Sequence, residues 1–120
     1  MKFTYDQLLG ALEGAVEEMG EHYIYPPSID GRQCRYTHGS ADDLSVGCLI
    51  GHALYRLGVS LEDLTEYDDF EENFDVAAKD LPYWADWQAN TLASGVQSRQ
   101  DDAMEWGRAL SLTLREMNNH

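Results

Sequence analysis

Three separate stretches of this chain return apolar residues at the spacing of an α-helix, and that periodicity confines it to a mainly helical fold. Leu8, Leu12, Ala15, Val16 and Met19 form the first stripe, with Glu13, Glu17, Glu18 and Glu21 on the other side. Thr4 followed by Gln7 reads as a capping box, and Phe3 ahead of it can pack on Leu8, so a helix starts here. Gly20 is placed to end it. Val46, Leu49, Ile50, Ala53, Leu54 and Leu57 form the second stripe, closed by Gly58, and Ser60 with Asp63 marks the next helix start. Trp106, Ala109, Leu110, Thr113, Leu114 and Met117 form the third, preceded by Asp102 and Glu105 as a cap-like pair.

The intervening segments carry other signals. Tyr23-Ile24-Tyr25, Pro26-Pro27, Asp30-Gly31 and Gln33-Cys34-Arg35-Tyr36 fit two short strands around a turn. Asp80-Leu81-Pro82 predicts a restarted helix, since proline suits a first turn; Trp84, Trp87, Leu92 and Val96 supply its large apolar side chains, and Gly95 is a point of interruption. Residues 67–75 show no clean period and read as a loop or short helix. No repeat or linker divides the 120 residues, so residues 1–120 are expected to form a single compact helical domain with a small β-hairpin.

Charge narrows the partners. The formal charge of -14 is carried by a chain with 43% hydrophobic residues, which is globular rather than disordered in composition. Such a field repels nucleic acids and anionic membranes and attracts basic protein surfaces, so the expected partner is a protein with a basic surface, with no direct nucleic acid and no membrane. Two cysteines, no basic-then-apolar leader and no apolar run near eighteen residues point to the cytoplasm and reduced thiols. A Cys34–Cys48 disulfide is geometrically open but disfavoured in that compartment.

Two constellations are candidates for chemistry. Cys34 with His38, and Cys48 with His52, hold both cysteines and two of the four histidines. Cys48 and His52 at i, i+4 on a helix could give zinc two ligands from one face. Cys34 and His38 would need a turn, because four strand residues span about 13 Å. A Cys48 nucleophile with a His52 base is the corresponding enzyme reading, but no orienting carboxylate stands at a convincing spacing and no phosphate loop or hydrolase motif is present. The plainer reading is that both cysteines are small buried hydrophobes and His52 a hydrogen-bonded interior residue, with no metal and no cofactor. Around the second helix the apolar stripe centres near about 10° while Cys48, His52 and Tyr55 cluster at roughly 180 to 240°, so both faces are suited to contact; Gly47 and Gly51 would admit a close backbone.

The second constellation is acidic. Eight carboxylates lie between Glu62 and Asp75, with no Lys or Arg between Arg56 and Lys79. Solvated surface is the bland reading. The functional one makes Asp68, Asp69, Glu71 and Glu72 steering groups and Tyr67 and Phe70 aromatic anchors for a basic partner, in the manner of a nucleic-acid backbone. Cation capture by the four acids is weaker, because no glycine-turned loop presents them.

Gly47-Cys-Leu-Ile-Gly-His-Ala-Leu-Tyr-Arg-Leu-Gly-Val59 and Val96-Gln-Ser-Arg-Gln-Asp-Asp-Ala-Met-Glu-Trp-Gly-Arg-Ala-Leu110 resemble a group of small uncharacterised proteins of actinobacteria and their phages, over the region from Tyr23 onward. The matching positions are Cys34, Cys48 and Trp106. Members often carry another residue in place of His52, which speaks against zinc. Ala103-Met104-Glu105 stands where the group commonly has glycine and proline, so an earlier start of the last helix is expected. The resemblance implies origin rather than chemistry. The combined expectation is a non-enzymatic, phage-encoded accessory protein that binds and modulates a partner through its acidic face. The alternatives are a small zinc-binding module using Cys34, His38, Cys48 and His52 and, third, a Cys/His-dependent enzyme.

Overall fold

The structure, a computed structural model, describes residues 2–24, 37–38, 45–46, 48–65, 68–69, 74–75, 78–102 and 104–118. Five helices dominate it. Helix α1 (Tyr5–Met19) begins at the expected capping box: the Gln7 N–H donates to Thr4 Oγ1 at 3.3 Å and the Thr4 N–H to Gln7 Oε1 at 2.9 Å. It ends at Gly20, whose φ of +97° is open to glycine. Leu8, Ala11, Leu12 and Ala15 form its buried face.

Phe3 binds the head of the chain to a distant segment. Its N–H donates to the Tyr83 carbonyl at 2.7 Å and its carbonyl accepts from Ala85 at 2.8 Å, a parallel bridge with Trp84. That bridge explains a correction. Helix α4 (Trp87–Asp101) does not start at 80–82, where a 3-10 turn (Ala78–Asp80) and irregular chain lie. Trp84 is held extended beside Phe3, its indole Nε1 donating to the Ala78 carbonyl at 2.7 Å, and the cap is Asp86. One Asp86 oxygen accepts from Ala89 at 2.8 Å while the other takes the Tyr5 N–H at 3.2 Å, so a single carboxylate serves the first turns of α4 and α1. Gly95 does not interrupt α4. A Cβ there would meet Thr113 Cγ2 at 2.7 Å, so its smallness lets helix α5 (Trp106–Asn118) pack close.

Helix α2 (Leu49–Arg56) starts three residues after the first residue of its sequence stripe. Val46 belongs instead to strand β2 (Ser45–Val46), paired antiparallel with β1 (Thr37–His38) in the register Thr37↔Val46 and His38↔Ser45. Alternate apolar positions suit either period over so short a run, and the pairing decides it. Gly58, at φ +105°, ends α2 as expected, with the Val59 N–H donating back to Leu54. Helix α3 (Leu61–Thr65) follows, the Asp63 N–H donating to Ser60 Oγ at 3.2 Å.

The expected hairpin over 23–36 is not supported. Residues 25–36, with Cys34 and any disulfide it would make, lie outside the described residues, and Tyr23 and Ile24 are not in a strand. The Tyr23 carbonyl instead accepts the Trp106 N–H at 2.8 Å, an otherwise unpaired group of the first turn of α5. That bond also places the start of α5 at Trp106, not earlier. Asp102 closes α4 rather than opening α5.

One hydrophobic cluster joins α1, α2, α4 and α5, with Leu12, Leu49, Leu54, Leu92, Val96 and Trp106 almost wholly inside it. Trp87, expected among the apolar side chains of α4, is 71% exposed. Among the described residues, no helix is long and apolar enough to cross a membrane.

Candidate functional site

Helix α2 carries the cysteine and histidine that the sequence singled out. Cys48 occupies its N-cap, fully buried, but no side-chain cap bond is made there. The orphan N–H of Leu49 is taken from across the core by Gln100 Oε1 of α4, at 2.8 Å. One turn on, His52 is 5% exposed.

Glu18, near the end of α1, is the carboxylate that the sequence could not place. His52 Nε2 stands 3.4 Å from Glu18 Oε2, and Arg56 Nη1 reaches the same oxygen at 2.9 Å. Gly14 makes room for this arrangement: a Cβ at that position would lie 2.6 Å from Arg56 Nη2. With Tyr55, half exposed, these groups line a depression of ≈ 310 Å³ that does not include Cys48. Burial pushes the His52 pKa below its ordinary value; Glu18 opposes this and Arg56 reinforces it. A neutral ring with its proton on Nε2 suits the Glu18 neighbour and leaves Nδ1 a bare acceptor. Nδ1 is buried without a hydrogen-bond partner, and so is Nε1 of Trp106. The two rings are edge to face with centroids 6.1 Å apart, and Tyr23 lies on the other contact of Trp106 at 4.6 Å.

Chemically, this cluster is a positioned neutral histidine beside a surface carboxylate. The Cys48 thiol is fully buried and is not among the side chains that line the depression. For zinc, Cys48 and His52 are the two candidate ligands with described side chains; Cys34 lies outside the described residues, and of His38 only the backbone is described, opposite Ser45. Among the described residues no group of three or more His, Cys, Asp or Glu could hold a metal ion.

The acidic segment is placed only in part. Asp68 and Asp69 form strand β3, paired antiparallel with β4 (Phe74–Asp75), so that Asp68 faces Asp75 and Asp69 faces Phe74. Tyr67, Phe70, Glu71 and Glu72 lie outside the described residues.

A second acidic surface forms from carboxylates that the sequence placed only on the polar side of the first helix. Glu13, Glu17 and Glu21 line a trough between α1 and α5 with Val16, Gly20, Gly107, Leu110, Ser111 and Leu114. Its signal was present as acids spaced by four on a helix without Lys or Arg. At its end His22 sits between Glu105, 2.5 Å from Nδ1, and Glu21, 3.3 Å from Nε2. The hydrogen bond to Glu105 raises the His22 pKa, and the charges of Glu105 and Glu21 add to it.

No known protein family, curated protein or solved structure matches the chain.

Proposed function

We propose that this chain is a non-enzymatic acidic accessory protein, phage-encoded in line with its motif resemblance, that binds and modulates a protein with a basic surface. The observation that carries the reading is the register of β3 and β4, which sets Asp68 directly across from Asp75. Like charges opposed on neighbouring strands disfavour the pairing, and no Lys or Arg lies between Arg56 and Lys79 to relieve them locally. A basic partner would supply counter-charge to this run of acids, with steering as its main effect. Closely spaced carboxylates of this kind would also let the surface occupy a nucleic-acid-binding site on the partner. The test is affinity capture from an actinobacterial lysate with the native chain and with Asp68→Asn, Asp69→Asn, Glu71→Gln and Glu72→Gln combined. Basic proteins retained by the native chain alone, and released by salt, are the expected result; equal retention by both baits overturns it.

A second reading, a small zinc-stabilised module, draws on one observation: His52 Nδ1 is buried and unpartnered one turn from buried Cys48, with Glu18 at Nε2 in the position of an outer-sphere carboxylate. It predicts zinc that co-purifies in a one-to-one ratio and unfolding by chelator; metal-free protein that melts identically with and without chelator removes it.

A further inference from the structure

We infer that the trough between α1 and α5 is the docking site of an amphipathic α-helix with one basic edge. The inference rests on the reading that the partner is basic, and it names the partner's form and a contact face different from the 67–72 segment.

The trough has defined ends. At one, α5 abuts α1 so closely that the Gly107 N–H donates to the Glu21 carbonyl at 2.9 Å and a Cβ at 107 would lie 2.7 Å from Glu21 Cβ. At the other, Met117 and Tyr5 share the lining of a separate pocket, so α5 runs back along the length of α1. Between them lies ≈ 560 Å³ of open space over Val16, Leu110 and Leu114, kept low by Gly20, Gly107 and Ser111. An apolar floor of this kind accepts the apolar stripe of a third helix, packed as helices pack in a bundle.

The walls determine which helix fits. On the α1 side Glu13, Glu17 and Glu21 repeat every fourth residue; Glu13 and Glu17 are exposed and make no ion pair with a described residue. Glu13 and Glu17 stand about 6 Å apart along α1, with Glu21 just beyond its end, and that step is also the axial step of a helical ligand whose Lys or Arg residues recur every four positions. Alternate residues of an extended chain, about 6.7 Å apart, match that step too, so the helical form follows from the apolar floor, which the i, i+3, i+4 stripe of a helix covers while its basic edge lies along the α1 wall. On the α5 side Arg108 lines a neighbouring depression with Ser111, and Arg115 follows one heptad later on the same helix, so this side carries positive charge and suits an occupant whose other edge is neutral or acidic. The apolar floor therefore sets the helical form of the occupant, and the charges on either side set its orientation.

The test uses two fluorescent peptides of about 18 residues, long enough for bound helix. One carries a leucine stripe and lysines along one edge; the other has the same composition, scrambled and interrupted by prolines. Anisotropy in about 0.15 M salt is read with the whole native chain, with Glu13→Gln/Glu17→Gln, with Ser111→Trp and with the four-amide 68/69/71/72 variant. The substituted trough residues are exposed, and circular dichroism checks that each variant is folded. Tighter binding of the helical peptide, weakened about tenfold by Glu13→Gln/Glu17→Gln and lost in Ser111→Trp, is the expected pattern. If both peptides bind alike and only the four-amide variant loses them, the groove inference falls and the acidic-face reading stands. If neither peptide binds, or no variant changes the binding, the groove inference falls, and the acidic-face reading is decided by the affinity capture.

Discussion

His52 on α2 stands 3.4 Å, through Nε2, from the Glu18 carboxylate on α1, which couples a nearly buried imidazole to a surface charge. Burial dominates nonetheless and lowers the His52 pKa, with Arg56 adding to the effect. The unfolded chain takes up this proton near pH 6.5 while the folded chain resists it. Stability from His52 is thus complete above pH 6.5 and is lost as the pH falls from there towards the lowered folded value. Urea melts across this range should show a decline that His52→Gln removes; a native-minus-variant difference that stays flat with pH would refute the coupling. His22 acts with the opposite sign. Its raised pKa gives stability that is complete below pH 6.5 and disappears as the pH rises through the folded value, so His22→Ala separates the two slopes.

Two glycines of α1 look interchangeable in sequence and are not. Gly10 is exposed, with open space around a Cβ, so Gly10→Ala should stabilise by about 0.5–1 kcal/mol through helix propensity. Gly14→Ala gains the same term but places its Cβ 2.6 Å from the Arg56 guanidinium, the mobile end of a long side chain. Arg56 then swings away and the pair with Glu18 is lost, a change of up to about 1 kcal/mol at this exposure. Denaturant midpoints should rank Gly10→Ala above Gly14→Ala; equal gains would mean that Arg56 needs no seat at Gly14.

These features separate what local sequence can specify from what it cannot. The start of α1 was legible because a capping box is completed within four residues, Thr4 to Gln7. The last helix was legible from Trp106 onward because its buried face recurs at i, i+3 and i+4. Helix α4 was misplaced because Asp80 satisfies the same local rule as Asp86, and the choice is made by Phe3, some 80 residues away in sequence, which holds Trp84 extended. Asp102 misled for a similar reason: an acid three residues before another acid reads as a helix opening, whereas this one closes the preceding helix.

The candidate site divides along the same line. The Cys48/His52 face was visible as a stripe on one helix, but Glu18 reaches it only through the packing of α1 on α2, which no spacing encodes. Gln97 and Gln100 were overlooked although they extend the buried stripe of Ala89, Ala93 and Val96. A polar side chain at a core position implies a hydrogen bond to serve, and both serve distant backbone N–H groups.

Gln100 gives that point a measurable form. Its Oε1 accepts the Leu49 N–H that Cys48 leaves uncapped, at 2.8 Å and in the interior. Gln100→Leu roughly keeps the volume but removes the acceptor and strands a buried donor at the start of α2, with an expected loss of about 1–3 kcal/mol. Amide exchange at Leu49 should accelerate more than at Ala53, in the same helix. Unchanged stability would show that the first turn of α2 finds another acceptor.

Trp84 and Trp106 offer a test of hydrogen bonding against area. By burial alone Trp106, 1% exposed, should tolerate Trp→Phe less well than Trp84, 9% exposed. Hydrogen bonding ranks them the other way. Trp84 Nε1 donates to the Ala78 carbonyl at 2.7 Å, a bond worth about 0.5–1.5 kcal/mol net, whereas Trp106 Nε1 is buried unpaired, at a penalty of about 1–3 kcal/mol that phenylalanine removes. Their sum exceeds the small difference in exposed area, so Trp106→Phe should be the milder substitution by at least about 1 kcal/mol in urea melts. If Trp106→Phe proves the more damaging, the indole N–H is satisfied in solution. His52 Nδ1, on the ring 6.1 Å away, is then the acceptor to examine, through the loss of the additional penalty in a His52→Gln background.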